Sequence, residues 1–440
     1  MNKKGEEYYN EVKERVSKIF DQNTLEYAFF DFWKLACLMK SKSYEQPYKY
    51  EDSSKDFVDK YREQITNMRN DFINNLEIYV DRCIKMLEKN KCKVYYAKTN
   101  EEAHKIFLTE LGDNTILYKS KSVEAKDIGI LEFLEKNNIQ VKETDLGDVL
   151  VQLFDYKLPT YQVGPGIHFL ENDIVSKIKE IYNAEVNPTA KDIVEFFRST
   201  YRRELLNDVK VSLTSANAIA ADDGSIVLLE NEGNISLISR ATEKHICLVG
   251  ITKIVPTCID ALLVTKLIER KNTADLAYIS FIYGPSGTSD IRGTAVKGMY
   301  GAKEVVVILV DDWRTRAIKE NLLYKEFVRC IGCKTCNFIC TASRAFGNTF
   351  ASKYGLGTIG VIRDYIHNGI EAAVKDGLFL CTGCRNCADW CPASIDLGEI
   401  MLNMKKEAIK KGLSPPPLEN YRQKIIKEKD PYFYQKYNGD

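Results

Sequence analysis

A cysteine spacing that occurs twice restricts this chain more than any other feature. Cys330, Cys333, Cys336 and Cys340 read C-x2-C-x2-C-x3-C, and Cys381, Cys384, Cys387 and Cys391, followed by Pro392, repeat it. Three thiolates two residues apart can wrap one short loop around three corners of an iron–sulfur cube, while the fourth, one helical turn on, points to a second cube. The pattern therefore predicts two [4Fe–4S] clusters with crossed ligands. Cys330, Cys333 and Cys336 would take Cys391, and Cys381, Cys384 and Cys387 would take Cys340.

Other uses of cysteine fit less well. A disulfide framework belongs to small secreted chains, whereas this one has 440 residues, an odd total of 13 cysteines and no apolar signal segment in its opening MNKKGEEYYNEVKERV. Structural zinc prefers separated C-x2-C pairs over three ligands in one loop. Cys37, Cys83, Cys92, Cys247 and Cys258 stand at no ligand spacing and read as small buried hydrophobes. Lys plus Arg and Asp plus Glu balance at 62 each, so no basic excess points to nucleic acid or an anionic membrane. No apolar run approaches the roughly 18 residues of a spanning helix, and the expected compartment is the cytoplasm, where thiols stay reduced.

Residues 341–380, between the two motifs, exceed what a compact two-cluster ferredoxin needs. They read as helix, chiefly from Gly360 to Lys375, with a turn at Tyr354-Gly355-Leu356-Gly357-Thr358. An all-helical two-cluster ferredoxin domain over 316–411 follows by analogy of spacing with the iron–sulfur subunit of succinate dehydrogenase.

Upstream, residues 1–54 read as apolar-faced helices and a linker from 41, the helices packed on the main domain or on a partner. One long helix follows from Ser54 to about Lys91. Strands and helices then alternate: Val94-Tyr95-Tyr96, helix 101–111, Ile116-Leu117-Tyr118, helix 124–137 and Ile139-Gln140-Val141. Further strands read at 209–220, 225–229, 245–254, 276–282 and 304–309. This rhythm predicts an α/β domain over 55–315, a mixed sheet with helices on its faces, and Asp222-Asp223-Gly224 signals a hairpin within it. Residues 412–440 read as a stiff extended tail, with Pro415-Pro416-Pro417 leading to Tyr421, Tyr432, Phe433, Tyr434 and Tyr437.

Several segments in one order resemble the lactate-utilisation (LUD) domain family. They are Lys119-Ser120-Lys121-Ser122, Glu143-Thr144-Asp145-Leu146-Gly147-Asp148, Gly164-Pro165-Gly166-Ile167-His168, Thr214-Ser215-Ala216-Asn217 and Asn231-Glu232-Gly233-Asn234. Val249 to Pro256 and Gly284-Pro285-Ser286-Gly287-Thr288-Ser289-Asp290-Ile291 extend the likeness over about 80–310, and the cysteine motifs carry it to about 400. Two positions depart from the family pattern: Asp222-Asp223 in a turn beside the expected pocket, and Thr341 where a proline commonly follows the fourth cysteine. The resemblance implies an iron–sulfur subunit of a bacterial system oxidising L-lactate or a related 2-hydroxy acid, with partner subunits as electron donor and acceptor.

Within the α/β domain the 284–290 loop reads as following a strand and opening a helix, where free N–H groups favour an anion. Ser286 and Thr288 there, Lys119 and Lys121 at a strand end, and Glu230, Glu232 and Asn234 are the candidate anion-site residues. The alternatives for them are a turn with a helix cap, solvated lysines and a satisfied turn. His168 and His245 are candidate proton carriers, with a hydrogen-bonded structural histidine as the commoner alternative for each. No Ser-His-Asp grouping, nucleotide G-x-G-x-x-G or flavin fingerprint occurs, and no catalytic residue is assigned. Three functions remain open: an electron-transfer subunit, an enzyme acting on a small anion with the clusters feeding it electrons, and a redox-sensing scaffold.

Overall fold

The computed structural model describes residues 3–47, 50–160, 164–271 and 276–429. Six parallel strands form the central sheet, in the order Lys93–Ala97, Glu304–Val310, Lys244–Gly250, Val211–Thr214, Ile116–Lys119 and Gln140–Glu143. Glu304–Val310 is an almost unbroken apolar run because helices cover both faces of the sheet. Val305, Val307 and Leu309 pack with Phe72, Val80 and Leu87 of helices Ser54–Asn74 and Leu76–Lys89. Val306, Ile308 and Val310 pack with Phe107 of helix Asn100–Leu111 and with Ile128 and Leu134 on the other side.

The antiparallel pairing signalled by Asp222-Asp223-Gly224 lies in a second sheet rather than in the first. Its order is Ile254–Val255, Ala218–Ala220, Ile226–Glu230 and Tyr278–Ile282. Gly224 closes the hairpin at φ +72°, and a Cβ there would stand 2.8–3.0 Å from Asn90, Met86 and Leu87. Side chains alternate along these strands. Ile219 and Ile226 join the core under the central sheet, while Ala218, Ala220, Val227 and Leu229 share a core with Ile359, Val361, Met401 and Met404 of the cysteine-rich region.

That region is built from helices Thr335–Phe338, Thr341–Phe346, Gly357–Lys375, Asn386–Asp389 and Leu397–Lys410. One two-residue hairpin, Ala351–Ser352 with Gly355–Leu356, interrupts the helices at the turn read from sequence. Helix Leu25–Glu45 lies on it: Phe29, Trp33, Cys37 and Tyr44 are buried with Phe338, Ile339 and Leu356. The N-terminal helices thus bury their apolar face within the molecule.

Several element boundaries differ from the sequence reading, each for a local reason. The helix from Leu25 runs on to Glu45, into the stretch taken as linker. The helix from Ser54 breaks at Asn75, whose backbone leaves helical angles (φ −120°, ψ 30°), and the 124–137 helix breaks at Gly129 in the left-handed region. The 209–220 stretch is two strands in different sheets, and 245–254 is likewise divided by a short 3-10 turn. Pro416–Glu428 is a helix rather than an extended tail, because proline in a first helical turn gives up no hydrogen bond. Tyr48 and the aromatic end from Tyr432 lie outside the described residues.

Candidate iron–sulfur and anion site

The two cysteine loops adopt one conformation twice. Each begins after a 3-10 turn, with Cys330 (φ −63°, ψ 121°) and Cys381 (φ −61°, ψ 123°) as the caps. Gly332 and Gly383 then take positive φ (79° and 73°), as do Lys334 and Arg385 (61° each), before the four-residue helices that carry Cys336 and Cys387. Left-handed residues at matched places curl each loop around its own three thiols.

The fourth thiol of each motif stands with the other loop. Burial pushes the Cys391 thiol up to about 12, and Cys333 and Cys330 add to the shift. For Cys387, also about 12, burial is followed by Cys340, Cys381 and Cys384, and Thr341 Oγ1 lies 3.5 Å from Cys384 Sγ. A small cavity is lined by Cys330, Cys333, Cys336 and Cys391, together with Cys387 of the second motif. Among the described residues no three His, Cys, Asp or Glu side chains converge as on a single ion. Thiols spread around a volume suit a cube with its irons at separate corners, so the donor set fits [4Fe–4S] better than mononuclear zinc. The groups differ in exposure: Cys333 and Cys336 are buried, whereas Cys384 is exposed.

A cavity of about 550 Å³ adjoins the first loop. One wall comes from the carboxyl ends of the parallel strands, where open α/β sheets hold their ligands: Ser120, Lys121 and Ser122, Asp145, and Ser215 to Asn217. Cys330, Gly332 and Lys334 of the cysteine loop form a second wall, and Phe32, Leu35 and Met39 of helix Leu25–Glu45 a third. Lys253 stands between the first two, 4.0 Å from Glu124 Oε1. Glu124 is itself engaged by the Gly250 N–H (3.0 Å) and Arg314 (3.3 Å).

Buried and partly buried cations tie the surrounding elements together. Arg69 donates to the carbonyls of Ile254 and Val328, both at 2.9 Å, joining the second sheet to the segment just before Cys330. Arg62 donates to the carbonyls of Asp389 and Cys391. Asp127 meets Arg314 at 2.7 Å, His367 at 3.1 Å and Arg363 at 3.6 Å. Burial alone would raise that carboxyl, but His367, Arg314 and Arg363 hold it well below the usual range.

Lys121, Glu230, Glu232 and Asn234 from the sequence reading all line the cavity. Lys121 pairs with Asp145 (2.9 Å), and Glu232 accepts from the Leu146 N–H (3.1 Å); burial, then Asp145, pushes Glu232 up to about 7. Glu230 is committed to the Ser236 N–H, and Asn234 donates to Thr144 Oγ1. Three candidates fall outside the site. Lys119 is buried beneath it in an ion pair with Glu143 (2.8 Å). Ser286 and Thr288 do not line it, because Gly287–Ile291 is a strand paired with Thr294–Lys297 in an exposed hairpin, and no helix follows the loop. Burial lowers both His168 and His245 to about 4; His245 bonds Thr214 Oγ1 at 2.7 Å and His168 packs among Phe29, Tyr156 and Phe169. Lys253, Lys334 and Arg69 escaped the sequence reading. Lys334 lies inside the cysteine motif and Lys253 inside the Val249 to Pro256 segment, which were the available signals.

Comparison with known proteins agrees with this architecture. Residues 326–395 match the 4Fe-4S dicluster domain, which implies two [4Fe–4S] clusters. "Lactate utilization protein B" of Bacillus subtilis is 27% identical over 84% of this chain and 75% of its own length, and that of Bacillus velezensis 26% over 94% and 84%. An Escherichia coli protein called "Uncharacterized electron transport protein YkgF" is 27% identical over 81% of this chain and 73% of its own. No described helix is long and apolar enough to cross a membrane. Residues 80–310 match the LUD domain model, and with that match across the α/β fold the chain belongs to the LUD domain family.

Proposed function

We propose that this chain is the iron–sulfur electron-transfer subunit of a cytoplasmic system that oxidises L-lactate, or a related 2-hydroxy acid, to the 2-oxo acid. The names of its relatives support the substrate class. The carrying observation is the placement of the thiols: Cys330 lines the cavity of about 550 Å³, while Cys384 in the second group faces solvent. When bound, two [4Fe–4S] clusters supply two one-electron carriers. The first would be held by Cys330, Cys333, Cys336 and Cys391, and the second by Cys381, Cys384, Cys387 and Cys340. Burial of Cys333 and Cys336 excludes water from the first. Exposure at Cys384 gives a partner subunit access to the second.

Protein purified without oxygen would carry about eight iron and eight sulfide per chain and take up about one electron per cluster from a chemical reductant. Alone it would not oxidise L-lactate with artificial acceptors. Turnover would appear on adding partner subunits and vanish in Cys384→Ser. Steady turnover by the lone chain would replace the relay by a second reading, favoured by the cavity beside Cys330, in which the α/β domain transforms the anion itself.

A further inference from the structure

We propose that the cavity beside Cys330 binds a 2-hydroxy or 2-oxo carboxylate with an apolar tail longer than that of lactate, its carboxylate between Lys253 and Lys334, and that this binding is coupled to the charge of the first cluster. The proposal rests on the cluster assignment above and adds a ligand to it.

Four cations, Lys121, Lys253, Lys334 and Arg363, and four carboxylates, Glu124, Asp145, Glu230 and Glu232, line the cavity, and they are matched unevenly: Glu232 accepts from the Leu146 N–H and Arg363 faces Asp127. Lys121 is matched by Asp145, and Glu230 by the Ser236 N–H. Glu124 is shared between Arg314 and the Gly250 N–H, which leaves Lys253 at 4.0 Å. Among the described residues the Lys334 side chain has no hydrogen bond or ion pair, although it stands in the same cavity wall. Burial, then Lys121, pushes Lys334 down to about 7, and an anion placed beside Lys334 and Lys253 would offset the repulsion among these lysines. Ser120, Ser122 and Asn217, on the opposing strand ends, offer the hydroxyl and amide groups that a 2-hydroxy or 2-oxo group would meet. Phe32, Leu35 and Met39 form an apolar wall, and Leu35 and Met39 are 50% and 64% exposed in the absence of anything against them. A cavity of about 550 Å³ is also larger than a three-carbon acid fills.

Lys334 follows Cys333 directly, so an anion held there lies beside the first cluster and not the second. Adding an electron to that cluster adds negative charge next to the carboxylate. The reduced protein must then bind the anion more weakly, and by reciprocity the anion must lower the potential of that cluster alone.

The test uses the full chain with both clusters, prepared without oxygen. Calorimetry of the oxidised protein with L-lactate, 2-hydroxyhexanoate and inorganic phosphate is expected to rank 2-hydroxyhexanoate at least tenfold above lactate, from its extra buried methylenes. Lys334→Asn, which keeps the left-handed backbone accessible, and Lys253→Gln should each weaken binding about tenfold. A potentiometric titration followed by electron paramagnetic resonance should show one cluster falling by about 59 mV for each tenfold loss of affinity on reduction, with the other unmoved. Binding of phosphate alone, or lactate binding as tightly as its longer homologue, would overturn the ligand class. Equal affinity in both redox states would overturn the coupling. Absence of lactate turnover with partner subunits, while binding and the shift persist, would remove the relay and leave this inference standing.

Discussion

Trp33→Ala tests whether the N-terminal helices belong to the iron–sulfur region. Trp33 is 1% exposed, stacks on Phe338 with ring centroids 5.6 Å apart, and donates its indole N–H to the Ser343 carbonyl at 2.7 Å. Ser343 N–H in turn points at Cys340 Sγ, 3.5 Å away. Truncating a buried tryptophan costs about 3–5 kcal/mol, and the Ser343 carbonyl left behind adds about 1 kcal/mol or more. The total of about 5 kcal/mol corresponds to a fall of roughly 5 °C in melting temperature when the 440 residues unfold as one cooperative unit. Trp33→Phe keeps the ring and loses only the hydrogen bond, for about 1 kcal/mol. The assay is anaerobic thermal unfolding followed at once by far-ultraviolet circular dichroism and by cluster absorbance near about 400 nm. Cluster absorbance should bleach earlier in Trp33→Ala, because the lost contact lies one residue layer from Cys340. A loss below about 1 kcal/mol, or bleaching at the wild-type temperature, would refute the reasoning.

Two further outcomes are expected. Cys340→Ser should damage the cluster held by Cys381, Cys384 and Cys387 and spare the one beside it in sequence; electron paramagnetic resonance of the reduced protein that loses only the cluster of Cys330, Cys333 and Cys336 would refute the crossed pairing. Burial, then the hydrogen bond and charge of Asp364, pushes Asp376 up from 3.8 to about 9. Its native proton therefore stabilises the fold fully below about pH 4, and that stability is lost as pH rises towards 9. Asp376→Asn, which cannot ionise, should flatten the decline in urea stability between pH 6 and pH 9, and an unchanged slope would show that another group titrates.

The sequence by itself determined what is local. Two copies of one cysteine spacing specified two loops of one conformation, because a thiolate every third residue leaves the intervening glycine and its neighbour to make the same turn in each copy. The alternation of strands and helices specified a sheet covered by helices on its faces, and Asp222-Asp223-Gly224 specified its hairpin. Where the segments lie in space came from the tertiary structure. Strands 211–214 and 218–220 read as one run but part into two sheets, since the pairing partners that separate them, Cys247 and Ile254, lie far along the chain. Ser286 and Thr288 have the composition of an anion loop yet stand away from the cavity, because the chain after them pairs back as a hairpin instead of starting a helix. Lys334, by contrast, is an ordinary loop lysine in the sequence. It comes near Lys121 and Lys253 through the tertiary fold, in which Arg69, on a helix more than two hundred residues earlier, joins the second sheet to the segment leading into Cys330. Local periodicity records which face of an element is apolar; it carries nothing about which distant element covers that face, and the cavity is made wholly of such long-range contacts.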